Sequence, residues 1–501
     1  MTILDLDLDK IGIAGLRQRL VEGEITARAL AQHCLDRIES RDGMVNAVIE
    51  LNPEALAIAD KLDQALAAGR PAGPLHGLPI LIKDNIDTGD RMTTTAGSLV
   101  LEGTHAAADA PLVARLRAAG AVILGKTNLS EWANFRSGKS SSGWCSRGGQ
   151  TRNPYALDRT PGGSSSGSGV ATACGFCAAA IGTETDGSIV SPSAMNGIVG
   201  IKPTVGLVSR TGIVPISHSQ DTAGPMARTV ADAALVLNAL AGGDPKDPAT
   251  AEADARRAED YTAFLVDDGL AGSRIGVVRA LAGFNEGVAA ILDDAVEAMR
   301  DNGAEVVDPV EFVEAEEVRQ HEMPVLLTEF KAGLNAYLAG RGAGTPVPDL
   351  AATIRVNRAR ADEIMPYFPQ DLFERSQETQ GLDDPAYLQA REICLRLTRT
   401  EGIDKVLQEH RLDAVVAPTT CAPWLIDWVN GDNRSGSSAY LAAIAGYPSI
   451  TVPAGYLYGL PVGVSFVASA WQEPVLIRLA HAFERATQVR VPPQYLTTAE
   501  F

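Results

Sequence analysis

Two serines, each on a tight turn that contains glycine, are the strongest candidates for chemistry in this sequence. Ser164 lies in TPGGSSSGSG at residues 160–169, and Ser188 lies in GTETDGSI at residues 182–189. Glycine lets the backbone take positive φ or approach another group closely, so both hydroxyls can be presented on sharp turns. Successive backbone N–H groups in the second turn could hold an anionic oxygen. The pattern predicts a serine nucleophile, and either serine could fill that role.

A serine hydroxyl is a weak nucleophile until a base removes its proton. The sequence offers a base in GLPILIKDN at residues 77–85, where the apolar run PILI predicts a buried strand that ends at Lys83. Burial disfavours the charged ammonium and lowers the pKa of a lysine, so a neutral amine becomes available near neutral pH. Lys83 could therefore serve Ser164 or Ser188.

GLPILIKDNI, TPGGSSSGSG and GTETDGSI, in this order and spacing, resemble the amidase signature family, which uses a Ser–cis-Ser–Lys triad. The resemblance implies that Lys83 is the base, that Ser164 is the bridging serine after a cis peptide bond, and that Ser188 is the nucleophile. It also implies an oxyanion hole made by the backbone N–H groups of Thr185, Asp186, Gly187 and Ser188. The similarity extends from about residue 16 to about residue 487 and implies the fold of the family.

Two positions depart from the pattern that is common in the family. The family often has two glycines before the nucleophile and an arginine two positions after it, whereas this chain has Asp186 and Val190. That variant resembles the peptide amidase branch, which removes the C-terminal amide of peptides. The segments that resemble this branch are residues 129–136, 147–155, 182–190 and 219–228. We expect hydrolysis of a carboxamide to a carboxylate and ammonia, with peptide amides as substrates.

Three other functions stay open at this stage. One is a broad-specificity amidase that acts on small aryl or alkyl amides. Another is the glutaminase subunit of an aminoacyl-tRNA amidotransferase, which would need partner subunits. The third is a non-catalytic binding protein on the same fold, which the presence of all three triad residues disfavours.

Three further motifs match known functional patterns, but a structural role explains each of them better than a functional one. Residues 120–127 match the P-loop pattern, yet their apolar centre is itself a predicted strand. Ser165 lies in a GxSxG pattern that would need a downstream histidine such as His410 or His481, and both histidines lie in polar helical surroundings. Residues 174–177 form a CxxC inside a predicted packed helix, which favours buried small side chains over redox chemistry.

Strands alternate with helices along much of the chain, which predicts an α/β/α layered fold around a twisted mixed sheet. The predicted strands are 44–51, 79–83, 121–124, 274–278, 305–307, 412–417, 448–452 and 462–467. The predicted helices are 26–41, 53–69, 111–119, 169–181, 230–241, 286–302 and 474–487. Because strands occur towards both ends of the chain, we expect one domain over residues 1–501. It would carry a mainly helical N-terminal segment (1–70) and a helical, substrate-facing insertion (309–411).

The walls of the substrate pocket are predicted from three segments. Residues 125–153 form a long loop rich in serine and glycine, and long loops in compact domains are usually functional. The helical region 309–410 and residues 419–428 would complete the walls. The candidate substrate contacts are Ser140, Trp144 and Asp186.

Composition narrows the class of partner. The formal net charge of −19 disfavours nucleic acid and anionic membranes, because both are polyanions. Six scattered cysteines do not indicate a disulfide scaffold, and seven histidines without metal-ligand spacing predict no metal. No signal peptide or membrane-spanning run is visible, so we expect a cytoplasmic enzyme that needs no cofactor and binds a small-molecule or peptide amide. Homo-oligomerisation stays open.

Overall fold

The computed structural model describes residues 8, 10–283, 285–312 and 315–501. Its strands are β1 (Val48–Leu51), β2 (Pro79–Lys83), β3 (Val122–Thr127), β4 (Trp144–Cys145), β5 (Gly149–Gln150), β6 (Ala179–Glu184), β7 (Val199–Lys202), β8 (Thr222–Ala227), β9 (Arg274–Val277), β10 (Glu305–Val307), β11 (Ala414–Pro418), β12 (Ser449–Leu457) and β13 (Leu460–Val467).

The helices of the first half are α1 (Ile13–Val21), α2 (Ala27–Val45), α3 (Ala55–Ala67), α4 (Pro111–Ala118), α5 (Ser166–Ala173), α6 (Val190–Met195), α7 (Val230–Leu240) and α8 (Ala253–Arg256). Those of the second half are α9 (Glu286–Asp301), α10 (Ala315–Gly340), α11 (Leu350–Ala359), α12 (Ala361–Ile364), α13 (Asp371–Glu378), α14 (Pro385–Leu395), α15 (Asp404–His410), α16 (Ala439–Ala445) and α17 (Glu473–Thr487). A π-helical segment, Arg396–Ile403, joins α14 to α15.

One sheet of 11 strands runs through the molecule in the order β1-β3-β2-β6-β8-β7-β12-β13-β11-β9-β10. Strands β3, β2 and β6 are mutually parallel, as are β11, β9 and β10, and antiparallel pairs join these two groups. Helices α5, α7, α9 and α17 pack against the sheet. The predicted α/β fold with a mixed sheet is confirmed.

Strand β2 shows why the chemistry-bearing lysine can be buried. All five of its residues are buried, and β2 lies between β3 and β6 with Ile82 paired to Lys126 and to Ile181. A continuous apolar run is typical of a parallel strand that is covered on both faces. The strand therefore carries Lys83 to a point inside the molecule.

The helix predicted over residues 169–181 is wrong in its second half. Helix α5 ends at Ala173, Gly175 turns the chain at φ +66°, and residues 179–184 form strand β6 at the centre of the sheet. A run of small apolar residues fits a buried helix and a buried strand equally well, so periodicity could not place the boundary. The CxxC pattern accordingly lies in the turn between α5 and β6. Strand β8 was not predicted.

Between β10 and β11 the described residues form helices and no strand. Within this helical region, Leu326, Phe330 and Phe373 pack with Trp132 and Phe135, which belong to the long loop 125–153. The helical region thus covers that loop. We propose the same domain organisation that the sequence predicts, namely one domain over residues 1–501 with a helical insertion at 309–411 and a mainly helical N-terminal segment at 1–70. Residues 1–7 and Asp9 of that segment lie outside the described residues.

A buried ion pair within this loop holds an arginine that also bonds to the helical region. Arg136 Nε lies 2.9 Å from Glu131 Oε2, both side chains have no exposed surface, and Arg136 Nη1 donates to the carbonyl of Ile364 at 2.8 Å. Losing one partner of such a pair leaves an uncompensated buried charge.

We therefore expect Arg136→Met to lower the free energy of unfolding by about 3 kcal/mol, measured by chemical denaturation. The matched control is Arg256→Met, which breaks the exposed Arg256–Glu252 pair and should change stability by less than about 0.5 kcal/mol. Equal stability of the two variants would contradict a stabilising role for the buried pair.

Candidate active site

The parallel pairing of β2 with β6 brings Lys83 beside Thr183. Lys83 is fully buried, and its Nζ lies 2.8 Å from Ser164 Oγ and 2.8 Å from Thr183 Oγ1. Asn85 Nδ2 also donates to Thr183 Oγ1, at 3.0 Å. The amine is therefore held between the serine turn and the end of β6. Nothing in the sequence indicated these roles of Thr183 and Asn85.

The surroundings of Lys83 favour its neutral form. Burial lowers the pKa of Lys83 to about 7, against the opposing effect of Asp221 and Glu184. Among the described residues, no carboxylate oxygen lies within 4.0 Å of its Nζ. A lysine in this state can accept a proton near neutral pH.

The turn that carries Ser164 is fixed by backbone contacts. The Gly163–Ser164 peptide bond is cis, Gly162 has φ +68°, and the Ser164 carbonyl accepts from the Ser130 N–H at 3.1 Å. Ser166 Oγ closes the turn by donating to the Gly162 carbonyl at 2.5 Å. Ser164 itself is fully buried, so its hydroxyl faces Lys83 away from bulk solvent.

Ser188 lies on the adjacent turn between β6 and α6. Its carbonyl accepts from the Ser165 N–H at 3.2 Å, which ties the two serine turns together. Gly187 takes φ +80°, and Glu184 Oε2 accepts from the N–H groups of Ile189 (2.7 Å) and Val190 (3.0 Å). Ser188 is 7% exposed, and its hydroxyl makes no hydrogen bond with any residue that the structure describes.

The turn from Thr185 to Ser188 has its backbone donors available. The N–H groups of Thr185, Asp186, Gly187 and Ser188 find no acceptor within the described ranges. The turn is braced from behind, because Thr185 Oγ1 donates to Asp221 Oδ1 at 2.5 Å and Gln220 Nε2 donates to the Thr185 carbonyl at 3.2 Å. Such preorganised donors can stabilise a negative oxygen that develops beside Ser188.

Asp186 contributes a half-buried carboxylate beside these donors. Burial raises the pKa of Asp186, while Arg319 and Arg434 act in the opposite direction. Glu322 on α10 is a neighbour that the sequence did not reveal. Burial and the Asp186 charge raise the pKa of Glu322, and Gln220 Nε2 donates to its Oε1 at 3.0 Å.

The other two candidate substrate contacts, Trp144 and Ser140, have different surroundings from Asp186. Trp144 is buried and follows Ser142, whose Oγ lies 3.0 Å from the position that a Cβ on Gly163 would occupy. Ser140 donates to the carbonyl of Asn134 at 3.5 Å and so bonds within its own loop. Ser142, a residue that the sequence analysis did not single out, thus lies against the serine turn, and Trp144 comes two residues after it in the chain.

The competing motifs have structural roles here. Ser165 Oγ donates to the Thr183 carbonyl at 3.0 Å, while His481 Nε2 lies 3.0 Å from Asp267 and His410 ends α15. Lys126, from the P-loop-like motif, is buried and donates to the Ile86 carbonyl at 2.6 Å.

Cys174 and Cys177, from the CxxC pattern, are buried and form no disulfide, and burial raises the pKa of Cys177 to about 11. Among the described residues, no group of three or more His, Cys, Asp and Glu side chains could hold a metal ion. In the same part of the chain, every helix is too short or too polar to cross a membrane.

The chain is similar to several known amidases over nearly its whole length. A profile of the Amidase family matches residues 29–477. A peptide amidase of Stenotrophomonas maltophilia has 51% sequence identity and a TM-score of 0.93, with 97% of this chain and 99% of that chain covered. A structure of the peptide amidase PAM with the competitive inhibitor chymostatin also has 51% identity, with a TM-score of 0.94 and coverage of 97% and 99%.

Curated relatives span the same length. A probable amidase of Arabidopsis thaliana is 41% identical, with 97% of this chain and 91% of that protein covered. One subunit of the glutamyl-tRNA(Gln) amidotransferase of Roseiflexus castenholzii is 35% identical, with 96% of each chain covered. With the family profile, the full-length relatives and the shared fold in agreement, this chain belongs to the amidase family and is an amide-hydrolysing enzyme.

Proposed function

We propose that the enzyme removes the C-terminal amide of peptides, with Ser188 as nucleophile, Ser164 as proton relay and Lys83 as base. The observation that carries this proposal is the buried 2.8 Å contact between Lys83 Nζ and Ser164 Oγ. Burial gives Lys83 a pKa of about 7, so a base is present where the adjacent serine turns need one.

The reaction begins with transfer of one proton along the triad. Lys83 Nζ takes the hydroxyl proton of Ser164, Ser164 Oγ takes that of Ser188, and Ser188 Oγ bonds to the amide carbonyl carbon. The carbonyl oxygen becomes an oxyanion, which accepts hydrogen bonds from the N–H groups at residues 185–188. The negative charge thus develops where the turn presents its donors.

Breakdown of this intermediate returns the proton. The ammonium of Lys83 gives it back through Ser164 to the amide nitrogen, the C–N bond breaks, and ammonia leaves an acyl ester on Ser188. A water molecule then loses a proton to the same relay and attacks the ester. The ester C–O bond breaks and the relay returns the proton to Ser188 Oγ, so the products are a carboxylic acid, ammonia and the free Ser188 hydroxyl.

Two observations support a peptide amide as substrate. The first is the 51% identity to the Stenotrophomonas maltophilia peptide amidase over 97% of this chain. The second is Asp186, a half-buried acceptor next to the oxyanion donors that can accept a hydrogen bond from a substrate N–H. Similarity to the Roseiflexus castenholzii amidotransferase makes glutamine the second candidate substrate.

Activity should depend on the ionisation of Lys83. Its pKa is lowered to about 7, so protonation removes the base as the pH falls through that value. We expect kcat/KM for an uncharged peptide amide to rise about tenfold per pH unit below pH 7 and to level off above it. A profile that is flat between pH 5 and pH 8 would rule out Lys83 as the base.

Thr183→Val should shift that profile. The variant removes a hydroxyl that accepts from Lys83 Nζ, and this contact favours the charged amine, so the apparent pKa of the rising limb should fall. We also expect kcat/KM to drop about tenfold. The control is Thr222→Val on the neighbouring strand, whose Oγ1 has no hydrogen-bond partner in the described chain. Equal profiles for both variants would contradict the role of Thr183.

The substrate and the nucleophile can be tested in one assay of ammonia release. The panel would contain peptide C-terminal amides, simple aryl and alkyl amides, and glutamine, and we expect the peptide amides to be the best substrates with their internal peptide bonds intact. Ser188→Ala and Lys83→Ala should each lower turnover by about three orders of magnitude or more.

Ser193→Ala is the matched control, because Ser193 is a fully buried serine on α6 whose hydroxyl is unpartnered among the described residues. It should retain activity within about twofold. Turnover by Ser188→Ala would refute the nucleophile, whereas a preference for glutamine or simple amides would keep the triad and refute the peptide substrate.

A further inference from the structure

A stacked pair of aromatic rings lies against the loop 125–153, which also contacts the turn of Ser164. Tyr367, from the segment after α12, stacks on Trp428 with ring centroids 4.6 Å apart and planes inclined by 19°. The buried Trp144 meets the edge of Tyr367 at 5.4 Å and 81°. We call Tyr367 and Trp428 the aromatic shelf, since both keep exposed surface and Tyr367 is 42% exposed.

Hydrogen bonds connect this shelf to the turn that carries Ser164. Trp428 Nε1 donates to Gln150 Oε1 at 2.9 Å, and Gln150 Nε2 donates to the Ser142 carbonyl at 2.9 Å. Ser142 lies against Gly163. Two residues, Gln150 and Ser142, therefore connect the shelf to the serine turn.

The backbone beside the shelf also runs towards the triad. Residues 424–426 pair with residues 158–160, with the Thr160 N–H donating to the Trp424 carbonyl at 2.8 Å. Four residues after Thr160 comes Ser164. The segment that holds Trp428 thus forms one wall next to the catalytic turn.

The shelf is held in place before any substrate arrives. Trp144 packs against Phe368 at 5.1 Å, and the buried guanidinium of Arg136 lies over both the Phe368 and the Trp144 rings. Arg136 is in turn fixed by its ion pair with Glu131. A rigid aromatic surface binds a side chain with little further loss of conformational entropy.

The chemistry of the shelf suits an apolar group. Leu425 and Val429, in the same segment as Trp428, are 53% and 86% exposed. Among the described residues, no arginine or lysine lies over the ring of Tyr367 or Trp428. Exposed apolar side chains that adjoin an active site are typical of ligand-binding surfaces.

The position of the shelf also indicates which part of a substrate reaches it. The amide carbonyl must lie at Ser188, which is only 7% exposed, so the amide-bearing residue lies inside the molecule. The residue before it extends towards the rim. We propose that the aromatic shelf is a subsite for a large apolar or aromatic side chain on that preceding residue, an inference that rests on the proposed peptide amidase function.

The test compares two substrates that differ only at the preceding residue, acetyl-Phe-Gly amide and acetyl-Ala-Gly amide. We expect the enzyme to prefer the phenylalanine substrate by about tenfold in kcat/KM. Tyr367→Ala and Trp428→Ala should each reduce this ratio to within about twofold of unity, and Tyr367→Phe, which keeps the ring, should preserve it. Tyr458→Ala is the control, because Tyr458 is a 54% exposed tyrosine on the turn between β12 and β13.

The outcomes separate the two proposals. If neither peptide amide is hydrolysed, the proposed function fails. If both are hydrolysed but the wild-type ratio is near unity, or Tyr367→Ala and Trp428→Ala keep the wild-type ratio while circular dichroism shows them folded, the subsite is refuted and the function stands. A preference for a free N-terminal ammonium that Tyr367→Ala abolishes would overturn the apolar assignment.

Discussion

The burial of one amine is the constraint on which the rest of this site depends. A lysine normally carries a charge up to pH 10.5, and lowering its pKa to about 7 corresponds to a penalty of about 5 kcal/mol on the charged form. That penalty opposes folding at every pH below the ordinary value, because the unfolded chain would bind the proton. The penalty arises because Lys83 lies buried at the end of a central strand, with neutral oxygens as its near neighbours.

The carboxylates near the site are arranged so that they do not cancel this effect. Glu184 Oε2 accepts from two N–H groups at the start of α6, and Asp221 accepts from Thr185 and from the N–H groups of Ile216 and Ser217. Glu184 fixes the backbone just after Ser188, Asp221 holds the side chain of Thr185, and both acids stay out of ion-pair distance of Lys83. The same two acids therefore influence both the electrostatic environment of Lys83 and the shape of the turn that carries Ser188.

The sequence predicted those parts of the site that are local in the chain. Lys83, Ser164 and Ser188 stood out because a buried strand and two glycine turns leave short, recognisable patterns, and the structure brings Lys83 and Ser164 into contact. Their catalytic roles stay predictions. Thr183 was visible only as part of a motif, since its contact with Lys83 arises from the pairing of β2 with β6.

The sequence could not predict the neighbours of the site that lie far away in the chain, for the same reason. Glu322 and Tyr367 come from the helical region 309–411, where amphipathic helices predict helical structure but not which face meets the active site. The error at residues 169–181 has another cause, because small apolar residues satisfy a packed helix and a central strand alike. The two outcomes differ only in tertiary packing, which places residues 179–184 between β2 and β8.

The central claim is that Ser188 carries the acyl group, and the most direct measurement is to locate that group. The enzyme would be quenched with acid during turnover of a 4-nitrophenyl ester of a short peptide, which forms the same acyl-enzyme with a faster first step, and then mapped by tandem mass spectrometry. The account predicts the acyl group on Ser188 in the wild type and its absence in Lys83→Ala. An acyl group on Ser165 or on any other side chain would contradict it.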